Sequence, residues 1–267
     1  MNKKKHQIEG FELWLALLGG LVLLFILAPL VNMLIHSSPH ALSDALHDRE
    51  VTDSIWLTLT TSMIATLVMA VGAIPLAYVL ARRQFRLKRL VQGLIDLPVV
   101  IPHSAAGIAI LGIISRQSLP GKAAGWLGFD LVGHPAGIMV AMAFVSLPFL
   151  INAARDGFAE VPERLEHAAQ NMGAKQGQVF FRITLPLAWR SVLSGLIMMF
   201  ARGMSEFGAV VIVAYHPMIT PVLIYERFGA FGLSYARPVA VIFIGVCLLF
   251  FVLLRMLVKE RSSHVRS

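Results

Sequence analysis

Apolar positions along this chain run in long unbroken blocks, and the polar positions gather between them. Leu13 to Ile35 holds no charged residue over 23 positions, and Ser54 to Ala81 none over 28. About 20 apolar residues in a helix cross the roughly 30 Å hydrocarbon layer of a bilayer. On that measure the chain has six spans, at about 13–35, 54–81, 91–115, 135–154, 191–214 and 238–258. The expected class is an all-α integral membrane protein with six transmembrane helices. Lys3, Lys4 and Lys5 precede the first span, as in a signal peptide. Its apolar stretch exceeds the roughly 7–15 residues of a signal core, so a retained helix is expected. No internal repeat or low-complexity linker divides residues 1–267, which read as a single transmembrane domain.

Composition narrows the class further. The chain is 57% hydrophobic and 14% charged, with a mean hydropathy of +0.74. Soluble domains carry about 25% charged residues, so a soluble enzyme and a disordered chain are excluded. The single cysteine, Cys247, excludes an internal disulfide. A net charge of +8 suggests nucleic acid until the cations are located. Seventeen of the 23 Lys and Arg fall in the N-terminus, the 82–90 and 155–190 connections and the C-terminal end. Five, Arg49, Arg116, Lys122, Arg227 and Arg237, fall in the alternate connections, and Arg202 lies within a span. Positive flanks stay in the cytoplasm, which puts both termini inside. The charge therefore records membrane topology, and no nucleic-acid partner is expected. The partner at every span is membrane lipid.

Within the spans, Arg202 and Glu206 are four residues apart and share a helix face on which they can pair. An intramembrane charge costs roughly 2.5–3.5 kcal/mol, so such residues face protein or a water-filled pathway. The pair either locks two helices together or lines and gates a pathway. Gly203 and Gly208 beside it permit close packing or bending. In the third span Pro98 and Pro102 stand four apart, followed by His103. Each proline removes a backbone hydrogen bond, so the helix is expected to kink or break there, on a face turned to protein or a cavity. His103 reads first as a packed, hydrogen-bonded histidine. Asp96, nearer the inner end, can reach the interface. No catalytic constellation and no metal-ligand cluster is evident; His36 and His40 are separated by Pro39 in a serine-rich loop.

The longest inner connection, residues 155–190, reads as a helix that starts at Pro162 with Glu163 and Glu166 in its first turn and stops at Gly173. Leu165, Ala169 and Met172 form one apolar stripe on it. A second short helix is expected at about Lys175 to Phe181, ending before Leu185-Pro186. Three turns of helix are not stable alone in water. The stripe must be buried, either on the chain's own membrane ends or in a groove on a soluble partner, with Ala168 and Ala169 allowing close approach.

This connection resembles the cytoplasmic signature of binding-protein-dependent ABC importer permeases, a Glu-Ala-Ala triplet, a glycine four residues on, then Ile-x-Leu-Pro. Here it reads His167-Ala168-Ala169, Gly173 and Ile183-Thr184-Leu185-Pro186, with His167 where the family has Glu and Glu166 beside it. Two further stretches, Leu97-Pro98-Val99-Val100-Ile101-Pro102-His103 with Ala106 to Ala109, and Ala201 to Ala209 including Arg202, Glu206, Phe207 and Gly208, resemble molybdate, tungstate and sulfate permeases. Ala214 to Pro221 and Ile224 to Phe228 are most similar to the molybdate/tungstate branch. Together the resemblance covers residues 54–258.

The resemblance implies the type I ABC importer permease fold. It also implies a coupling helix seated in an ATPase subunit through Glu166, His167, Ala168, Ala169, Gly173, Ile183, Leu185 and Pro186. Pro98, Pro102, His103, Arg202, Glu206, Phe207 and Gly208 would line or gate the pathway. Expected partners are a second permease chain in a homodimer, two ATPase subunits and an extracytoplasmic oxyanion-binding protein that docks on the outer segment 215–235. The chain itself has no phosphate-binding loop: its one Gly-Lys pair, Gly121-Lys122, is followed by Ala123. No cofactor is expected on this chain, with ATP and Mg on the ATPase subunit. The expected function is ATP-driven import of molybdate or tungstate. Sulfate or thiosulfate import stands as an alternative, as does an ATP-independent secondary carrier.

Overall fold

The computed structural model describes residues 10–256, and every described element is helical. In chain order the helices are α1 (Gly10–Ile35), α2 (Pro39–His47), α3 (Arg49–Arg82), α4 (Lys88–Val100), α5 (His103–Ile114), α6 (Leu119–Trp126) and α7 (Pro135–Glu160). Then come α8 (Glu163–Asn171), α9 (Gln176–Val179), a π-helical turn (Phe180–Thr184), α10 (Leu185–Met204), α11 (Val210–Val213), α12 (Thr220–Phe231) and α13 (Leu233–Met256). Five helical stretches are long and apolar enough to cross a membrane, and the bent pair α4–α5 makes six. Lys3 to Lys5, residues 257–258 of the sixth expected span, and Lys259, Arg261 and Arg266 lie outside the described residues.

The expected spans are found with shifted ends. The second lengthens to Arg49–Arg82, the fourth to Pro135–Glu160, and the fifth moves back to end at Met204. Residues 205–219 are not a continuation of that span; they fold as a separate excursion containing α11, with Ala209, Val210, Val213 and Ala214 buried. The reason lies in Gly203 and Gly208, which weaken the helix here, and in the polar residues Arg202 and Glu206 beside them. The second short helix of the inner connection likewise does not end before Leu185-Pro186. α9 runs through the π turn into α10, giving one helical stretch from Gln176 to Met204. Pro186 sits at the first turn of α10. There its missing N–H is tolerated, and the widened π turn makes room for its ring.

α3, α7 and α10 form the central three-helix pack. Towards the Arg82 end, Ala77 and Leu80 of α3 meet Leu150, Ile151, Ala154 and Phe158 of α7 and Ala188 and Val192 of α10. Towards the other end, Ile138, Met142 and Val145 of α7 pack with Ala106 and Ile110 of α5 and with Ala209, Val210 and Val213. Lipid tails are as apolar as leucine, so membrane helices gain little from burying leucine and associate through close packing and hydrogen bonds. Buried hydroxyls supply the hydrogen bonds: Ser62 Oγ donates to the Phe200 carbonyl at 2.8 Å, and the Thr220 N–H donates to Thr58 Oγ1 at 2.9 Å. α1 follows the opposite rule. It is apolar on every side and its most hydrophobic stretch is wholly exposed, as befits a helix whose solvent is lipid.

Candidate functional site

The first candidate site forms where the third span breaks. α4 and α5 meet at a 112° bend. Ile101 lies between them in an extended conformation, φ −73° and ψ 147°. A residue before proline is driven out of the helical region, so Pro102 accounts for the break. Pro98 does not interrupt the chain; it is buried inside α4, which continues past it. Of the two expected breakpoints, only Pro102 ends a helix. The break turns His103 towards the end of α10.

There His103 joins the pair read from the sequence. Arg202 Nη2 lies 3.0 Å from Glu206 Oε2, and His103 Nδ1 lies 3.0 Å from the same oxygen. Arg202 Nη2 also lies 3.0 and 2.9 Å from the two ring nitrogens of His103. Glu206 Oε1 accepts the Ala209 N–H at 2.9 Å, which holds the carboxylate at the head of the 209–214 segment. Oε2 has two cationic or polar neighbours but no donor hydrogen aligned on it. The Glu206 side chain is 0% exposed, that of Arg202 23% and that of His103 35%. The carboxylate is therefore hidden, and the guanidinium and imidazole present their edges.

The close fit explains the glycines. A side chain at Gly208 would set its first carbon 2.8 Å from His103 Cβ, and one at Gly203 would meet Ser62 Oγ at 2.6 Å. A side chain at Gly107 of α5 would set its first carbon 2.9 Å from the Ala209 carbonyl oxygen. Phe207 packs against Tyr225 of α12 with ring centroids 5.0 Å apart and the rings tilted by 48°. Because Gly203 packs on Ser62, the cluster lies about 20 Å along α3 from Arg49 and about 30 Å from Arg82. It belongs to the middle of the membrane. The arrangement is at once a helix lock and a polar patch with two open edges.

The second candidate site is the inner connection. α8 starts after Pro162 and stops at Gly173, whose φ of +90° only glycine adopts without strain. Glu166 turns inward. Its Oε1 accepts from Arg82 Nη2 at 2.6 Å, from Arg82 Nε at 2.9 Å and from Thr184 Oγ1 at 2.9 Å, and its Oε2 accepts from the Tyr78 hydroxyl at 3.2 Å. Arg82 Nη2 also donates to the Val161 carbonyl at 2.9 Å. Burial pushes the Glu166 carboxyl up, yet the hydrogen bonds from Arg82 and Thr184 outweigh it and hold the group below its ordinary value. One carboxylate thus ties α8 to the end of α3 and to the π turn.

The apolar stripe read from the sequence is split. Ala169 is buried with Glu166, whereas Leu165 and Met172 are exposed, as are His167 and Ala168. The turn of α8 is set by the Glu166 ion pair, which outweighs the burial of one leucine. Glu166 and Ala169 pack on the chain itself, and Leu165, His167, Ala168 and Met172 face outward. Ile183 and Leu185 are half-buried in the joint to α10, with Pro186 exposed beside them. Sequence reasoning missed Tyr78, Arg82 and Thr184. Arg82 registered only as one of a cluster of topological charges, and nothing local marks a threonine as the partner of a residue 18 positions away.

The outer segment 215–235 is partly buried. Thr220 is buried against Ser54 and Thr58 of α3, and Ile219, Val222 and Leu223 are buried with it. α12 therefore starts about 13 Å down α3 and climbs towards Arg49. Arg227 Nη2 fastens it by donating to Asp48 Oδ2 at 2.5 Å and Glu50 Oε2 at 2.8 Å. The tip around Phe228, Phe231, Leu233 and Tyr235 is exposed and apolar, as is Tyr225 on α12.

A pack of long helices with one broken span and a short helix latched across their common end is the architecture of an importer permease. Residues 73–263 match the family described as binding-protein-dependent transport system inner membrane component, and the chain belongs to it. It is 41% identical over 250 residues, 93% of this chain and 96% of the relative, to a molybdate/tungstate transport system permease protein of Pyrococcus abyssi. It is 39% identical to a protein of that description from Methanocaldococcus jannaschii, over 96% of this chain and all of the relative. Among solved structures it superposes, with a TM-score of 0.72, 17% identity and 94% and 96% of the two chains covered, on a bacterial ABC transporter involved in import of the acidic polysaccharide alginate. The chain is a membrane permease component with the ABC importer fold.

Proposed function

We propose that this chain forms the transmembrane pathway of an ATP-driven importer of tetrahedral oxyanions, molybdate or tungstate. The observation that carries the substrate class is the likeness, over almost the whole chain, to permeases described for those two anions. The geometry agrees with it: an arginine and a histidine edge are presented at mid-membrane depth, where an anion needs positive charge and N–H donors to replace its water.

The outward face of α8, with His167 and Ala168 at its centre, is the contact for an ATPase subunit, and Ala168 lets the partner approach closely. Glu166 serves that contact from behind by fixing the helix to α3 and α10. A second copy of the chain completes the pathway, and an external binding protein delivers cargo at the tip near Phe228 to Tyr235. ATP and Mg belong to the ATPase subunit, which carries out hydrolysis; this chain contributes none. ATP binding draws the two coupling helices together and turns the pathway outward, and hydrolysis resets it. Such switching requires nucleotide to bind the two states with different affinity.

The test is accumulation of molybdenum, tungsten and sulfur in cells lacking this chain, with and without its restoration, read by elemental mass spectrometry. Restored molybdenum or tungsten at low external concentration is the expected result. Restored sulfur alone would assign the chain to sulfate import, and no change in any element would remove the oxyanion assignment.

A further inference from the structure

We infer that Glu206 is the built-in counter-ion of an anion station whose exposed members are Arg202 and His103, and that it keeps this station from retaining the dianion it passes. The inference rests on the oxyanion reading above and goes a step past it, to the reason the permease does not trap its cargo.

An arginine alone at this depth would be an anion sink. Little water competes for it, and a doubly charged oxyanion would leave slowly. A pathway needs sites that are favourable enough to enter and weak enough to leave. The structure meets that need by burying one negative charge behind the cation. Glu206 is wholly buried, whereas Arg202 and His103 keep part of their side chains exposed. The carboxylate cannot swing out to meet solvent, because its Oε1 is held by the Ala209 N–H and Gly208 is pressed against His103.

Its other oxygen sits 3.0 Å from both Arg202 Nη2 and His103 Nδ1 without an aligned hydrogen. The carboxylate thus faces one corner of the guanidinium and acts on the station through its charge. Arg202 presents five N–H donors. Nη2 faces Glu206 and His103, and Nη1 reaches Ser205 Oγ at 3.3 Å, which leaves N–H groups for a tetrahedral oxyanion. A helix lock alone would bury the arginine as deeply as the glutamate. Here only the anion is fully hidden, the arrangement expected if the exposed edge is used.

The experiment uses the permease assembled with its ATPase partner in nanodiscs, without the external binding protein. The complex is equilibrated with molybdate, tungstate or sulfate, and retained anion is counted by elemental mass spectrometry. Glu206→Gln removes the charge and keeps the shape. It is expected to tighten oxyanion retention about tenfold or more, as loss of one nearby like charge should. Adding Arg202→Gln should abolish that gain. In proteoliposomes Glu206→Gln should lower both KM and kcat for uptake, a split that a purely structural defect does not produce. Should Glu206→Gln fail to assemble, His103→Lys adds a permanent positive charge with Glu206 in place, and the same tighter retention is expected. Retention equal to wild type in an assembled variant overturns the counter-ion assignment. Wild-type ATP-driven uptake of the same anions separates the two levels. Its absence overturns the oxyanion reading itself, whereas intact uptake with unchanged retention overturns only the role of Glu206.

Discussion

Glu166 and Glu206 lie far apart in the sequence and meet similar fates in the fold. Each is a carboxylate buried against an arginine, and each ends up holding a loop. Glu166 accepts four hydrogen bonds, so removing it strands Arg82 against buried surface. Breaking a buried pair in this way costs about 3–5 kcal/mol locally. Glu166→Ala should therefore release α8 and lower ATP-coupled uptake severalfold while the chain still inserts, and Glu166→Gln should keep most of the activity. Uptake by membranes of equal permease content checks both.

The pH dependence follows from the direction of the shift. The folded carboxyl lies below its unfolded value, so its contribution is complete above the unfolded pKa of about 4.3 and is lost as pH falls through the folded value. Protease access to the 155–190 connection should stay constant from about pH 8 to about pH 5 and rise only below about pH 4. A rise near neutral pH would mean that another group holds the helix.

At the scale of elements, the break between α4 and α5 sets the position of His103, and Pro102 sets the break. Pro102→Ala frees Ile101 to adopt helical geometry and restores the N–H that proline lacks. α4 and α5 should then straighten, His103 should leave Glu206, and uptake should fall about tenfold or more with normal membrane insertion. A distance between spin labels on the two helices, measured in the variant and the parent, reads the change directly. An unaltered distance would show that packing rather than Pro102 imposes the bend.

Much of this was legible in the sequence for a physical reason. Span length, the Arg202–Glu206 spacing and the Gly173 stop all arise from interactions within a few residues, and local pattern reports local causes. The fifth span was misread past Met204 because hydropathy cannot tell an apolar helix from an apolar excursion that turns back, as Ala209 to Ala214 do. The inward turn of Glu166 and the burial of Thr220 depend on Arg82 and Thr58, which lie 84 and 162 positions away. No periodicity carries such information.

At the scale of the molecule, the two sites sit at opposite ends of one rigid element. α10 begins in the turn that receives Glu166 through Thr184 and finishes at Arg202 and the Glu206 cluster. A displacement of α8 is therefore expected to pass through the π turn into a helix packed along its length on α3 and α7. This link is the route for the coupling proposed above between the two polar clusters. It predicts that nucleotide and oxyanion are felt at both ends of α10. The most direct test is tungstate uptake into proteoliposomes holding the permease, its ATPase partner and the external binding protein, with ATP or a non-hydrolysable analogue inside. Accumulation that requires hydrolysable ATP is the expected result. Accumulation that proceeds equally without it would contradict the coupling through α8 and α10 and make the chain a carrier that works alone.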